Sequence, residues 1–200
     1  MKIKICGVTR MEDLMAIQVW PVWAVGFNCF EGSPRYVSPI QIQSLCAATQ
    51  SDIVKVGVFV NASTQHVNEI RTLCYLDLVQ LHGDETPAQC QALGPGIIKA
   101  FRLKAGQPLP NFADYAPFVD YFLLDAYQED AYGGTGQRID QGLLSHLQLP
   151  KPWLLAGGIN PINAQAAWAD HQPFALDICS GVESTPGIKD SACIKQLFSS

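Results

Sequence analysis

The sequence has few charged residues and no surplus of positive charge. Of its 200 residues only 16% are charged, and 13 Lys and Arg stand against 18 Asp and Glu, a net charge of −5. Nucleic-acid-binding domains normally carry a basic surplus, so we expect no nucleic-acid partner. With 48% hydrophobic residues, the chain is too apolar to be disordered. This length predicts one domain, residues 1–200.

The cysteines have no spacing typical of a metal site or a disulfide framework. Their number is odd and no CxxC pair occurs. They are Cys6, Cys29, Cys46, Cys74, Cys90, Cys179 and Cys193. We therefore predict reduced thiols, no metal and a cytoplasmic location; Cys6 is considered separately below.

No segment has the length and composition of a membrane span. The stretch that comes nearest to a membrane span is 14–30, which has no charged residue but is slightly short and contains Pro21 and Asn28. It is better explained as a buried helix that runs into a buried strand, and we predict no membrane association.

Eight short apolar runs recur along the chain, and their starts lie 21 to 34 residues apart. They are Ile3–Cys6, Ala24–Cys29, Ile53–Val60, Leu76–Leu81, Ile97–Phe101, Val119–Leu124, Trp153–Ala156 and Phe174–Ile178. The spacing leaves room for one helix between successive strands, and continuous apolar runs are typical of buried parallel strands. The pattern favours an α/β fold, a (β/α)8 TIM barrel, over an open doubly wound sheet, which more often has five or six strands.

Several helix boundaries are marked by capping residues. A capping residue before a proline predicts a helix start, and a glycine after an apolar helix predicts its end. The predicted starts are a capping box from Thr9 to Glu12, Ser38-Pro39, Thr86-Pro87 and Asn160-Pro161, and Gly94 is a predicted end.

Polar residues follow the predicted strands, where a barrel places its catalytic groups. They include Cys6, Arg35, His82, Arg102, Asp125 and Asp177. A carboxylic acid and a thiolate across one cavity can serve as general acid and general base, which makes Asp125 and Cys6 candidates. The alternative for Cys6 is an ordinary core thiol, whereas a buried carboxylate such as Asp125 is costly unless it is paired or functional.

Two glycine-bearing turns follow the seventh and eighth strands. They contain Gly157-Gly158 and Ser180-Gly181, and loops at these positions often bind phosphate through backbone N–H groups. Ordinary tight turns are the alternative. The long loop 126–137, with Gly133-Gly134-Thr135-Gly136, is a candidate lid or a simple excursion of the chain.

Taken in order, these motifs resemble the phosphoribosylanthranilate isomerase family over essentially the whole chain. The matching segments are KICGVTR at 4–10, SPRYV at 33–37, KVGVFVN at 55–61, VQLHGDE at 79–85, LD at 124–125, GGTG at 133–136, LAGGI at 155–159, LD at 176–177, SGVE at 180–183 and STPGIKD at 184–190. The combination is far more specific than any single motif.

The resemblance implies an isomerase of tryptophan biosynthesis, a (β/α)8 barrel without a cofactor. It implies a phosphosugar–anthranilate substrate, with Asp125 as the acid and Cys6 as the base. By the same resemblance, the phosphate is held around Gly157, Gly158, Ser180 and Gly181, Arg35 meets the anthranilate carboxylate, and His82 and Asp177 line the site. The chain departs from the family at Cys179, where we expect a small polar residue. Because contacts there would be mainly through the backbone, we expect little effect of that thiol.

Other functions remain as alternatives. The isomerase of histidine biosynthesis performs the same rearrangement, but with carboxylates at the end of strand one and at the end of strand five or six. Cys6 stands at the end of strand one here, which counts against that enzyme. Indole-glycerol-phosphate synthase is another barrel enzyme, but the lysine-rich catalytic site of that enzyme is not visible in this sequence. A thiol redox enzyme needs a resolving cysteine, for which no spacing appears, and a non-catalytic phosphate-binding barrel is not excluded by fold. The oligomeric state is expected to be monomer or homodimer.

Overall fold

The strands close into a parallel barrel. The computed structural model describes residues 1–104, 106–126, 144 and 147–199. The barrel strands are β1 Ile3–Ile5, β2 Ala24–Asn28, β3 Val54–Phe59, β4 Leu78–Leu81, β5 Ile97–Leu103, β6 Tyr121–Ala126, β7 Trp153–Leu155 and β8 Ala175–Ile178. Each lies within or overlaps a predicted apolar run, so the (β/α)8 prediction is confirmed.

The first and last barrel strands are neighbours. In β1, Ile3 pairs with Leu176 and Ile5 with Ile178 of β8. The ladder continues one residue further, because Cys6 N donates to Ile178 O at 2.8 Å. The residues that follow β1 and β8 therefore lie side by side at the C-terminal end of the barrel.

Helices surround the barrel. They are α1 Met11–Ile17, α2 Pro39–Ala48, α3 Thr64–Leu73, α4 Pro87–Leu93, α5 Phe112–Tyr115, α6 Ala164–His171 and α7 Ser191–Phe198. The predicted starts at Ser38 and Thr86 are confirmed, each by a capping box with a glutamine three residues on. Gly94 ends α4 at φ 71°, a conformation that glycine adopts without penalty. No helix in the described ranges is long and apolar enough to cross a membrane.

Two predicted helix starts are wrong. Thr9 caps no helix, because its hydroxyl donates to Gly187 O instead and α1 begins after Arg10. The Asn160 side chain accepts from the N–H groups of Ile162 and Asn163, which forms a turn. The helix α6 therefore starts three residues later than a cap at Asn160-Pro161 would require.

A short hairpin after β8 was not predicted. Its strands, β9 Glu183–Thr185 and β10 Ile188–Lys189, pair antiparallel and are joined through Gly187 at φ 82°. The hairpin places the side chains of Glu183 and Lys189 over the end of the barrel, next to the loops that follow β1 and β8.

The apolar residues form two layers. The larger lies between the barrel and the helices and includes Phe27, Phe59 and Phe122. The smaller fills the barrel interior with small and branched side chains, among them Ala24 and Val56. These apolar side chains fill the interior of the barrel, and the polar side chains lie above them at its C-terminal end.

A buried ion pair fixes the loop after β4. Glu85 and Lys99 are each 2% exposed, and their side chains meet at 2.8 Å. The Glu85 carboxylate also accepts from the backbone N–H groups of Asn61 and Gly83, and Lys99 Nζ donates to Gly83 O. The pair thereby ties β5 to the loops after β3 and β4.

Removing the Glu85 charge should strongly destabilise the fold. Glu85→Gln leaves the Lys99 ammonium buried without its counter-charge, and breaking a buried pair in this way costs about 3–5 kcal/mol. Urea unfolding monitored by circular dichroism measures the change. The matched control is Asp84→Asn, which removes an adjacent but exposed partner of Arg102 and should cost less than about 1 kcal/mol. Equal losses in the two variants would contradict the structural role of Glu85.

Candidate active site

An open cavity at the C-terminal end of the barrel brings most of the predicted site residues together. Its walls include Cys6, Arg35, His82, Asp125, Gly157, Gly158, Asp177 and Ser180. Gly181 lies directly behind them: a side chain there would come within 1.9 Å of Ile159 O, so only glycine fits. Residues from both ends of the sequence thus share one cavity.

Cys6 stands next to a buried lysine. Lys4 is fully buried, and its ammonium contacts Asp177 Oδ1 at 2.8 Å. Space for this arrangement depends on Gly26 of β2, because a Cβ at that position would lie 2.8 Å from Cys6 Sγ and 3.2 Å from Lys4 Nζ. The sulfur and the ammonium are therefore close neighbours on the cavity floor.

The surroundings of Cys6 favour its thiolate form. The Cys179 thiol donates a hydrogen bond to Cys6, which lowers the pKa of Cys6 well below its usual value. Burial opposes this shift, and the charges of Lys4 and Lys189 reinforce it. The pKa of Cys179 is raised in turn, because its proton serves the shared hydrogen bond and its sulfur is buried. Cys6 therefore carries the negative charge of the pair.

The ion pair below Cys6 is intact at neutral pH. Burial raises the pKa of Asp177 to about 6, although Lys4 opposes the shift. Burial alone would lower the pKa of Lys4, but the charges of Asp177 and Cys6 outweigh it and raise that pKa. At pH values well above 6 both members are ionised, and the Lys4 ammonium next to Asp177 and Cys6 stabilises the thiolate.

Asp125 is the penultimate residue of β6, lines the same cavity as Cys6 and faces a histidine. Its Oδ2 lies 3.3 Å from His82 Nε2, and the carboxylate is 4% exposed. On the other side of the ring, Gln80 Nε2 approaches His82 Nδ1 at 2.8 Å. With the amide in this orientation Nδ1 accepts, which leaves the proton of neutral His82 on Nε2, towards Asp125.

Two buried polar atoms in the cavity wall lack a hydrogen-bond partner among the described residues. They are Gln80 Oε1 and His82 Nε2. Leaving such an atom unsatisfied costs about 1–3 kcal/mol, which a bound polar molecule can offset. Both residues line the cavity, so this part of the wall is suited to a polar ligand.

Arg35 reaches the cavity from the loop after β2. Its Nε and Nη2 atoms donate to the Glu183 carboxylate, with the shortest contact at 2.7 Å. Lys189 Nζ donates to the same carboxylate at 2.8 Å and also to Cys6 O. Burial would raise the pKa of Glu183, but the bonds from Arg35 and Lys189 lower it. Two cations around one carboxylate leave this edge of the site with surplus positive charge.

The turns after β7 and β8 present backbone to the cavity. Gly157 and Gly158 have φ of 86° and 64°, where side chains are disfavoured. A single 3-10 turn, Ser180–Val182, follows β8 and packs against Ile159. Within the described residues, the N–H groups of Gly158, Ser180 and Gly181 donate no backbone hydrogen bond, which suits an anion bound between the turns.

The site contains several residues that motif reading did not assign. Lys4, Gln80, Glu183 and Lys189 all belong to it, and the alternation of inward-facing residues along β1 and β4 was a signal for the first two. Arg102 lies outside the cavity wall and pairs with Asp84 at the surface. Of the candidate lid at 126–137, only Ala126 at the end of β6 is described; the rest, with the GGTG segment, lies outside the described residues. In the part of the chain that is described, no group of three His, Cys, Asp or Glu is arranged to hold a metal.

Comparisons with known proteins agree with this geometry. Residues 3–200 match the sequence model described as PRAI, N-(5'phosphoribosyl)anthranilate (PRA) isomerase. The N-(5'-phosphoribosyl)anthranilate isomerase of Magnetococcus marinus is 44% identical over 189 residues, which cover 94% of this chain and 89% of the relative.

Solved structures show the same similarity. Phosphoribosyl anthranilate isomerase from Thermus thermophilus superposes with a TM-score of 0.88 at 32% identity, covering 100% of this chain and 97% of the other. A phosphoribosyl anthranilate isomerase in complex with reduced 1-(o-carboxyphenylamino)-1-deoxyribulose 5-phosphate gives a TM-score of 0.80 at 30% identity, with 98% and 96% covered. On sequence and structure alike, this chain belongs to the phosphoribosylanthranilate isomerase family of enzymes.

Proposed function

We propose that this protein converts N-(5'-phosphoribosyl)anthranilate into 1-(2-carboxyphenylamino)-1-deoxyribulose 5-phosphate, a step of tryptophan biosynthesis, by acid–base catalysis without a cofactor. The observation that carries the proposal is the placement of Cys6 and Asp125 at strand ends on one cavity. The Amadori rearrangement needs one proton delivered to oxygen and one removed from carbon, and these two groups can supply both transfers.

Asp125 acts as the general acid. In its protonated form it delivers a proton to the ribose ring oxygen, the bond from that oxygen to C1 breaks, and C1 and the anthranilate nitrogen become a Schiff base. His82 Nε2 lies 3.3 Å from the carboxylate and borders it on the cavity wall. A positioned acid of this kind contributes about 10²–10⁴ to rate.

Cys6 acts as the general base. Its thiolate takes the proton from C2, and the electrons move to give an enolamine, which tautomerises to the C2 ketone. Lys4 and Lys189 stabilise the thiolate, and Cys179 donates to it. This thiolate is a base at neutral pH, whereas an ordinary thiol is mostly protonated there.

Two anionic groups of the substrate anchor it across the cavity. The phosphate lies between the turns of Gly157-Gly158 and Ser180-Gly181, where three N–H groups donate no backbone hydrogen bond within the described residues. The anthranilate carboxylate lies towards Arg35, at the edge that carries two cations around Glu183. His82 and Asp177 line the space between the two anchors. These residues act from one domain, residues 1–200, which functions as a monomer or a homodimer.

The direct test is turnover of freshly generated N-(5'-phosphoribosyl)anthranilate, followed by the loss of anthranilate fluorescence. We expect catalytic loss of the signal with this chain and only the spontaneous rate with heat-denatured protein. A folded chain that shows no turnover would overturn the proposal. The phosphosugar substrate of the histidine-pathway isomerase is then the informative second substrate, because that enzyme performs the same rearrangement.

A further inference from the structure

We propose that Cys6 and Cys179 form an oxidation site, at which a peroxide converts the two thiols into an intramolecular disulfide. The modification is distinct from the proposed isomerisation. It uses the same sulfur as the proposed base, so it would also switch that reaction off.

The two cysteines are held together by the barrel closure. Cys6 is the residue after β1 and Cys179 the residue after β8, and the Ile5–Ile178 pairing places them at matching positions. Neighbouring strands lie about 4.8 Å apart, inside the range of about 4.4–6.8 Å that a disulfide needs between Cα atoms.

Both side chains turn to the same side. Cys6 and Cys179 line the same cavity, and Cys179 Sγ lies 3.0 Å from the place a Gly7 Cβ would occupy, directly beside Cys6. Each residue is partly exposed at the cavity, so a small oxidant can reach the pair. The two thiols therefore lie on the same side of neighbouring strands, at matching positions.

The surroundings select Cys6 among seven cysteines. Thiolates react with peroxides and thiols do not, so the lowered pKa of Cys6 marks it as the site of first attack. The pKa values of the five cysteines outside this pair are all raised, mainly by burial: to about 12 for Cys29 and Cys46, and to about 11 for Cys90. Cys74 and Cys193 are raised as well.

The chemistry balances in two steps. The Cys6 thiolate attacks hydrogen peroxide, an S–O bond forms as the O–O bond breaks, and hydroxide leaves; Cys6 becomes a sulfenic acid. Cys179 then attacks that sulfur, the S–S bond forms, and water leaves with the Cys179 proton. A dithiol is oxidised by two electrons and one peroxide is reduced. Cys179 thus supplies the resolving thiol that sequence spacing does not reveal.

The test is oxidation of the full chain with limited hydrogen peroxide, followed by intact mass and tryptic mapping. We expect a product lighter by two hydrogen atoms, with the peptide Ile5–Arg10 joined to Ile139–Lys189, each of which contains one cysteine. Dithiothreitol should restore the starting mass. Cys179→Ser should give no such linkage and should instead add oxygen to Cys6. Cys193→Ser, which removes another partly exposed thiol, should form the linkage as the parent does.

Any other linkage overturns the proposal. Oxygen added to Cys6 in the parent without a Cys6–Cys179 bond would show that Cys179 does not resolve the sulfenic acid. A disulfide between two molecules, seen as a dimer on a non-reducing gel, would also contradict it. The mass and gel measurements do not depend on turnover, so they test the disulfide independently of the proposed isomerase reaction. The expected loss of isomerase activity on oxidation, restored by reductant, rests on that proposed function.

Discussion

Asp125→Asn should lower kcat by about 10²–10⁴ while KM changes little. The amide has nearly the same shape as the carboxylic acid, so the fold and the contact with His82 Nε2 should persist. It cannot release a proton to the ribose ring oxygen, and general acid catalysis is typically worth this factor. An interaction used only in the transition state lowers kcat without weakening substrate binding. Steady-state fluorescence kinetics over a range of substrate concentrations separate the two constants.

The control for this variant is Asp84→Asn. Asp84 is exposed, pairs with Arg102 at the surface and lies outside the cavity wall. Its substitution also replaces one carboxylate by an amide near the same end of the barrel, and kcat should stay close to the parent value. Turnover by Asp125→Asn within about threefold of the parent would contradict the assignment of the acid. Circular dichroism of both variants establishes that any loss is not unfolding.

The barrel could be predicted because its signals are local. A parallel strand buried on both sides is a continuous apolar run, and the pairs Ser38-Pro39 and Thr86-Pro87 carry their capping partners three residues on. Cys6 and Asp125 could be placed in the site because barrel topology alone brings strand ends together. These inferences need no knowledge of which side chains meet.

The network around Cys6 could not be predicted because its members meet across the whole sequence. Lys4 pairs with Asp177, and Arg35 pairs with Glu183, through contacts that only the closed barrel creates. The same limitation explains Thr9: a hydroxyl predicted to cap its own helix bonds Gly187 of a distant hairpin instead. Sequence motifs therefore located the proposed acid and base, whereas the electrostatic environment that lowers the pKa of Cys6 required the structure.

Loss of the base should be as severe as loss of the acid. Cys6→Ala removes the proposed base for the C2 proton, and we expect kcat to fall by about 10²–10⁴. Cys6→Ser should be nearly as slow, because a hydroxyl is far less acidic than a thiol and stays protonated beside Lys4 at neutral pH. Either variant with near-parent turnover would show that another group removes the proton.

The pH profile provides an independent check on Cys6. If the thiolate is the proposed base, kcat/KM should rise with pH as the Cys6 thiol ionises. The midpoint of this rise should lie well below the usual thiol pKa, because Cys179, Lys4 and Lys189 lower the pKa of Cys6. Cys179→Ala removes the hydrogen bond that contributes most, and the midpoint should move to higher pH. Cys179→Ser retains a donor and should move it less. The ultraviolet absorbance of the thiolate should follow the same order, since it reports ionisation without turnover. If the midpoint of the rise in kcat/KM does not move in Cys179→Ala, the lysines alone stabilise the thiolate. A midpoint at the usual thiol pKa in the parent protein would contradict any role of these surroundings in lowering the pKa of Cys6.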